Sequence, residues 1–171
     1  MKYIALLRGI NVSGKKVPMK DLVVCFEQLD YANIKTILNT GNVVFESSKS
    51  STLDLVTEIE SKIKTKFGFE VLVQVRRFEE LKKMFDENPF KNLTHNLDTH
   101  WYVTFLNQPP PKTLFPTDDS YKFLSISHNA LFTTLDRTKA KTTDFMSFLD
   151  KNFGRSVTTR NWNTIEKILR N

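Results

Sequence analysis

Apolar and polar residues change spacing several times along the chain, and each spacing predicts an element. Lys2–Arg8 (KYIALLR) is apolar at every interior position, which predicts a strand buried on both faces. Gly9 to Val17 reads as a loop, and Pro18 suits a first helical turn, where its missing N–H has no bond to make. Leu22, Cys25, Phe26 and Leu29 then recur at helical spacing up to about Asp30. Ile34–Thr40 and Asn42–Ser47 are strand-like, and the Thr40-Gly41-Asn42 corner supplies the positive φ of a tight hairpin. Ser51 with Asp54 three residues later marks a capped helix start. The apolar stripe that follows is Leu53, Val56, Ile59, Ile63 and Phe67, with Gly68 able to end the helix in the left-handed conformation. Phe69–Val75 is a further strand. The order β-α-β-β-α-β predicts two right-handed crossovers joined by a hairpin, a ferredoxin-like unit over residues 1–76.

The second half is less regular. Phe78–Phe85 reads as a short helix and His100–Asn107 as a strand. Pro109, Pro110 and Pro111 forbid regular hydrogen bonding, so a loop or a single turn is expected there. Tyr121–Ser127 and Ala130–Asp136 form a hairpin around His128-Asn129. Thr142–Phe153 is a helix with Phe145, Phe148, Leu149 and Phe153 on one side, stopped by Gly154. Ser156–Thr159 reads as a last strand. Asn163 can cap a final helix that turns Ile165, Ile168 and Leu169 inward. The fold class is therefore α+β, with two ferredoxin-like halves, the second degenerate, plus a C-terminal helix. Residues 1–76 and 77–171 are expected to pack as one compact protein.

Composition narrows the class without naming a function. Of 171 residues, 40% are hydrophobic and 14 are Phe, enough for a folded core. One Cys excludes a disulfide framework or a Cys-rich zinc site. No apolar run approaches the ~18 residues of a membrane span, and no cleavable leader is expected before the first strand. A soluble, cytoplasmic protein without a membrane partner is expected. The net charge of +6 divides into +3 over residues 1–76, −1 over 77–135 and +4 over 136–171. Arg8, Lys15, Lys16 and Lys20 form one acid-free stretch, and Arg137, Lys139 and Lys141 form another. Such clusters fit an anion-binding surface or simply solvate loops.

Gly9 to Lys16 (GINVSGKK) has phosphate-loop spacing and lies between a strand and a helix. Its glycines allow backbone N–H groups to converge, and a lysine adds a point charge for phosphate oxygens. Lys16 stands where Ser or Thr would hold Mg²⁺, so an NTPase is disfavoured; a phosphate-binding nest and a structural glycine loop remain. An RNA-recognition platform would need solvent-facing rings on the first and third strands. Tyr3 and Phe45 are available there, but a strand apolar on both faces predicts that they are core. In Thr158-Thr-Arg-Asn-Trp-Asn-Thr164, Arg160 is either aimed at an anion or set among residues that only cap and turn. His95, His100 and His128 lack metal-ligand spacing, and Cys25 lies on an apolar helix stripe.

Three segments carry a family resemblance. Leu7-Arg-Gly-Ile-Asn-Val12 with Ser13-Gly14-Lys15 and Pro18-Met19, then Thr40-Gly41-Asn42-Val43-Val44-Phe45, and Thr158 to Thr164 resemble the signatures of the bacterial family called domain of unknown function 1697. Ser13-Gly14 stands where that family usually has Gly-Gly, and Thr40 where it has Ser. Asp136-Arg137-Thr138-Lys139-Ala140 stands where it has Gly-Arg-Ser-Lys-Leu. The resemblance implies an α+β protein with ferredoxin-like halves and supplies no activity, substrate or cofactor.

The working expectation is a binding protein for a phosphate-bearing ligand: a nucleotide, nucleic acid or phosphorylated metabolite. Arg8, Asn11, Gly14, Lys15, Lys16 and Asn42 from the first half would join Arg137, Lys139, Thr159, Arg160 and Asn161 from the second. The alternatives are an enzyme whose pocket is lined by Asn11, Asn39, Asn42, Thr159 and Asn161, and a partner-binding structural module. No cofactor or catalytic residue is assigned.

Overall fold

In the computed structural model, the run KYIALLR is strand β1 (Lys2–Arg8), and all five interior residues are buried. The described residues are 1–12, 14, 16–94, 96–107 and 119–171. They fall into two units, Met1–Lys82 with Lys167–Asn171, and Lys83–Glu166.

In the first unit, β1 is followed by α1 (Met19–Glu27), β2 (Ala32–Ile37), β3 (Asn42–Glu46), α2 (Thr52–Phe67) and β4 (Leu72–Arg77), which runs directly into α3 (Phe78–Glu87). The sheet order is β2-β3-β1-β4 with every pair antiparallel, as two interleaved β-α-β crossovers require. Alternation along β1 sends Tyr3, Ala5 and Leu7 to one face. There they meet Val43 and Phe45 of β3, Leu22, Cys25 and Phe26 of α1, and Leu55, Ile59 and Ile63 of α2. Tyr3 stacks on Phe45 at 5.7 Å, and Phe26 meets Phe45 edge-on at 5.3 Å. Neither Tyr3 nor Phe45 has any exposed surface, so both rings are core and form no stacking platform.

Local signals set the ends of α2. Ser51 Oγ accepts from Asp54 N at 3.2 Å, and Gly68 closes the helix at φ 76°. The expected stripe needs one correction: Leu53 is 73% exposed and Leu55 is buried in its place. At 100° per residue, 55, 59 and 63 share a face that 53 misses.

In the second unit, β5 (Thr99–Phe105), β6 (Tyr121–Ser127), β7 (Ala130–Asp136), α4 (Thr142–Phe153) and β8 (Thr158–Asn161) precede α5 (Trp162–Leu169). The sheet order β6-β7-β5-β8 repeats that of the first unit. The register repeats too: Ile4 lies between Val44 and Arg76, and Val103 between Phe132 and Arg160. The tri-proline stretch falls outside the described residues. His128 and Asn129, both at φ 52°, make the two-residue turn of the β6–β7 hairpin. One sheet face packs Tyr102, Leu131 and Leu135 on Phe145 and Leu149 of α4. On the other face, Phe90 stacks on Trp101 at 5.0 Å and meets Trp162 edge-on at 5.1 Å.

The last strand lies two residues later than the sequence suggests. As a result, Asn161 rather than Asn163 supplies the capping oxygen of α5. Among the described residues no helix is long and apolar enough to cross a membrane.

Candidate functional site

Two asparagine-held turns border one pocket in the second unit. Asn96 Oδ1 accepts from the backbone N–H of Asp98 at 3.0 Å and of Thr99 at 2.6 Å, which leads the chain into β5. Asn161 Oδ1 accepts from Asn163 N at 2.9 Å, where β8 turns into α5. Because β5 and β8 pair with Tyr102 opposite Asn161, the two turns meet at the start of β5. The pocket has a volume of about 210 Å³, and its lining includes Asn96, Thr99, His100, Trp101, Asn161 and Asn163. With the oxygens of Asn96 and Asn161 engaged by backbone, each amide has its NH₂ donors left to offer. No carboxylate is among the described lining residues.

Arg137, which contacts the lining residue His100, sits in the turn after β7. Asp136 Oδ1 accepts from the Thr138 hydroxyl at 2.6 Å and from Thr138 N at 2.9 Å. These two bonds, the hydroxyl first, hold the Asp136 carboxyl below the usual carboxylate range. The Arg137 backbone N–H donates to Asp98 O at 2.8 Å, tying it to the loop that lines the pocket. Its Nη1 lies 3.4 Å from His100 Nε2. A guanidinium only donates, so Nε2 accepts and the ring proton sits on Nδ1. Nδ1 then donates to Tyr102 Oη at 3.2 Å, and Tyr102 Oη lies 3.4 Å from Thr142 Oγ1, where either hydroxyl can donate. The contacts link Arg137, His100, Tyr102 and Thr142 in sequence.

In the first unit, the asparagines hold backbone together. Asn11, at φ 56°, donates from Nδ2 to Val17 O at 3.2 Å and to Asn39 O at 3.0 Å. Its Oδ1 accepts from Val17 N at 2.8 Å. Asn42 is fully buried and donates to Ile37 O at 3.0 Å and Thr40 Oγ1 at 2.9 Å. These bonds brace the loop after β1 against the β2–β3 turn. Arg8 is half-buried at the end of β1, opposite Leu72. Gly14 (φ 83°) and Lys16 are exposed on the loop, and Lys15 lies outside the described residues.

A family model described as "Protein of unknown function (DUF1697)" matches residues 1–125. The chain belongs to the DUF1697 family. No curated protein matches it. Its fold is similar to the solved structure of conserved bacterial protein SP0830 from Streptococcus pneumoniae, at 22% identity and a TM-score of 0.78, over 99% of this chain and 97% of that one.

The remaining candidate residues of this DUF1697 protein separate by strand alternation. Thr159 and Asn161 project from one face of β8, where Thr159 Oγ1 meets Thr104 Oγ1 at 2.9 Å. Arg160 projects from the other. Its Nη1 donates to Thr158 Oγ1 at 2.8 Å and Thr159 O at 2.9 Å, and burial pushes its pKa down to about 10. It therefore stays charged at neutral pH. Lys139 Nζ reaches Asp119 O at 3.4 Å. Arg8, Asn11, Gly14, Lys16 and Asn42 belong to the first unit, and Arg137, Lys139, Thr159, Arg160 and Asn161 to the second. Of the named candidates, Asn161 lines the pocket and Arg137 reaches it through His100. Sequence reasoning missed Asn96, Thr99, His100 and Trp101 as lining. The available signal was Asn96 shortly before the strand read from His100, a residue type whose side chain bonds the backbone two residues on.

Proposed function

We propose that this DUF1697 protein binds a small phosphate-bearing ligand in the pocket of its second unit. The observation that supports the reading is the donor inventory. Asn96 and Asn161 have amide donors left over, Arg137 adds a fixed positive charge, and no described lining residue is acidic. Guanidinium and amide donors suit phosphate oxygens, and charge-assisted bonds of this kind are the strong ones. Size restricts the ligand. About 210 Å³ lies below the ~300 Å³ at which pockets for drug-sized ligands begin, so an inorganic oxyanion or a small phosphate ester fits better than a dinucleotide. The basic excess of the chain would raise the encounter rate with any such anion.

Isothermal titration with inorganic phosphate, small phosphate monoesters and oligonucleotides, at low and raised salt, tests the reading. Binding of the small phosphates that weakens at least about tenfold in Arg137→Gln is expected, because a charged hydrogen bond contributes roughly 1.5–3 kcal/mol. Arg137 is exposed, so the variant should fold. Heat only with oligonucleotides, falling steeply with salt through counterion release, would instead mark a nucleic-acid surface.

A further inference from the structure

Leu38 is held in the left-handed region, at φ 58°. Every other non-glycine residue at positive φ among the described ones is Asn, Asp or His, the types that tolerate it. Leucine is bulky and gains no local hydrogen bond there, so its presence strains the turn. Burial does not explain the choice, because Leu38 is 45% exposed. Surrounding bonds enforce the conformation: Asn42 donates to Ile37 O and Thr40 Oγ1, Asn11 to Asn39 O, and Leu7 N to Gly41 O. A strained apolar side chain kept at the surface is explained by a contact with something outside the chain.

Single exposed apolar residues are ordinary, but Leu38 has company. Leu6 pairs with Asn42, Asn42 with Ile37, and Arg8 with Leu72, which brings the ends of β1 and β2 and the start of β4 to one end of the sheet. There Val12 and Leu72 are 55% and 46% exposed. Asn11, beside Val12, bonds the carbonyl of Asn39, beside Leu38. Met1 and Leu53, the other exposed large apolar residues described in this unit, lie before β1 and after β3, at the opposite end. Lys16 and Lys20 are exposed and Arg8 half-buried, in a stretch from Arg8 to Lys20 that holds no acid. Asp21 follows, and Glu70 near Leu72 is bonded to Lys64, which leaves the balance basic.

We propose that Val12, Leu38 and Leu72 form a docking surface for an acidic segment of a partner protein, whose aliphatic side chains meet theirs and whose carboxylates meet Lys16 and Lys20. Aliphatic side chains give a base no ring to stack on, which disfavours nucleic acid. Half-exposed, they are seated in the surface rather than protruding, which suits a partner's side chains better than a bilayer. This surface belongs to the first unit, so its test does not depend on the ligand pocket of the second.

Selection of short peptides from a displayed random library, then titration of those recovered against the intact chain, tests the assignment. Acidic peptides with aliphatic residues should be recovered. Leu38→Asn should weaken them at least about tenfold, as loss of an interface anchor does, and Leu53→Asn should leave them unchanged. Raised salt, or Lys16→Gln with Lys20→Gln, should slow their association. Leu38→Asn should also raise the unfolding midpoint, because asparagine tolerates this turn, so its binding loss is not a folding loss. Recovery of no acidic peptide, equal binding by Leu38→Asn, or a lowered midpoint overturns the proposal. Binding of phosphatidylserine vesicles or an oligonucleotide through Leu38, in place of the peptides, overturns it as well.

Discussion

Replacing Gly41 by Ala should be among the most damaging small changes available in this chain. Gly41 sits at φ +77°, a conformation that costs an L-residue about 1–2 kcal/mol. A methyl group there would lie 2.9 Å from Leu7 Cβ, 3.0 Å from Leu7 O and 3.0 Å from Ile10 Cδ1. Two of these neighbours belong to the core strand β1, and the Gly41 carbonyl itself accepts from Leu7 N at 2.7 Å. The turn cannot retreat without stretching that bond. Overpacking of a tight site adds about 1–3 kcal/mol, so the total is roughly 3 kcal/mol. Gly68 provides the control. It has nearly the same φ, +76°, but nothing lies within 4 Å of an added methyl. Gly68→Ala should cost only the conformational part. Urea denaturation of both variants, compared at equal slope, reads the difference, which should be at least about 1 kcal/mol. If the two variants are equally destabilised, the close approach of the β2–β3 turn to β1 contributes nothing and the reasoning fails.

Asn11→Ala removes two donated bonds and one accepted bond between the β1–α1 loop and its surroundings, and should cost about 1–3 kcal/mol. Hydrogen exchange at the Val17 amide should accelerate in that variant; unchanged protection would mean that Asn11 does not brace the loop. Glu58 accepts from Tyr31 Oη at 2.8 Å and pairs with Lys49, and the Lys49 bond first, then that from Tyr31, lowers its carboxyl pKa. A carboxylate depressed in the folded state contributes stability above its unfolded pKa and loses it as pH falls through the folded one. The deficit of Glu58→Gln should therefore be full at neutral pH and shrink in acid below the ordinary Glu value of 4.5. A deficit that is constant with pH, measured by thermal unfolding across that range, would show that the pairing is not the cause.

Much of this fold is written in short-range signals. β1, the β6–β7 hairpin and α4 are bounded in the structure as their residue patterns imply, because alternation, helical spacing and a His-Asn turn act over two to four residues. Ser51 and Gly68 end α2 for the same reason. Leu53 shows the limit: next to a helix start, several apolar residues compete for one stripe, and only packing against the sheet selects Leu55.

The candidate site shows a deeper limit. The chain marked Thr159, Arg160 and Asn161 together, but a strand sends neighbours to opposite faces, so Asn161 reaches the pocket and Arg160 does not. Asn11 and Asn42 looked like ligand groups, and the tertiary structure engages their amides with backbone. The sequence by itself determined the element types, the α+β class and which loops are polar, since those follow from propensity and periodicity. Only the tertiary structure decided which polar groups have donors left to offer. That depends on the register of β5 on β8 and on the Arg137–Asp98 backbone bond, pairings between residues far apart in the chain that no local pattern encodes.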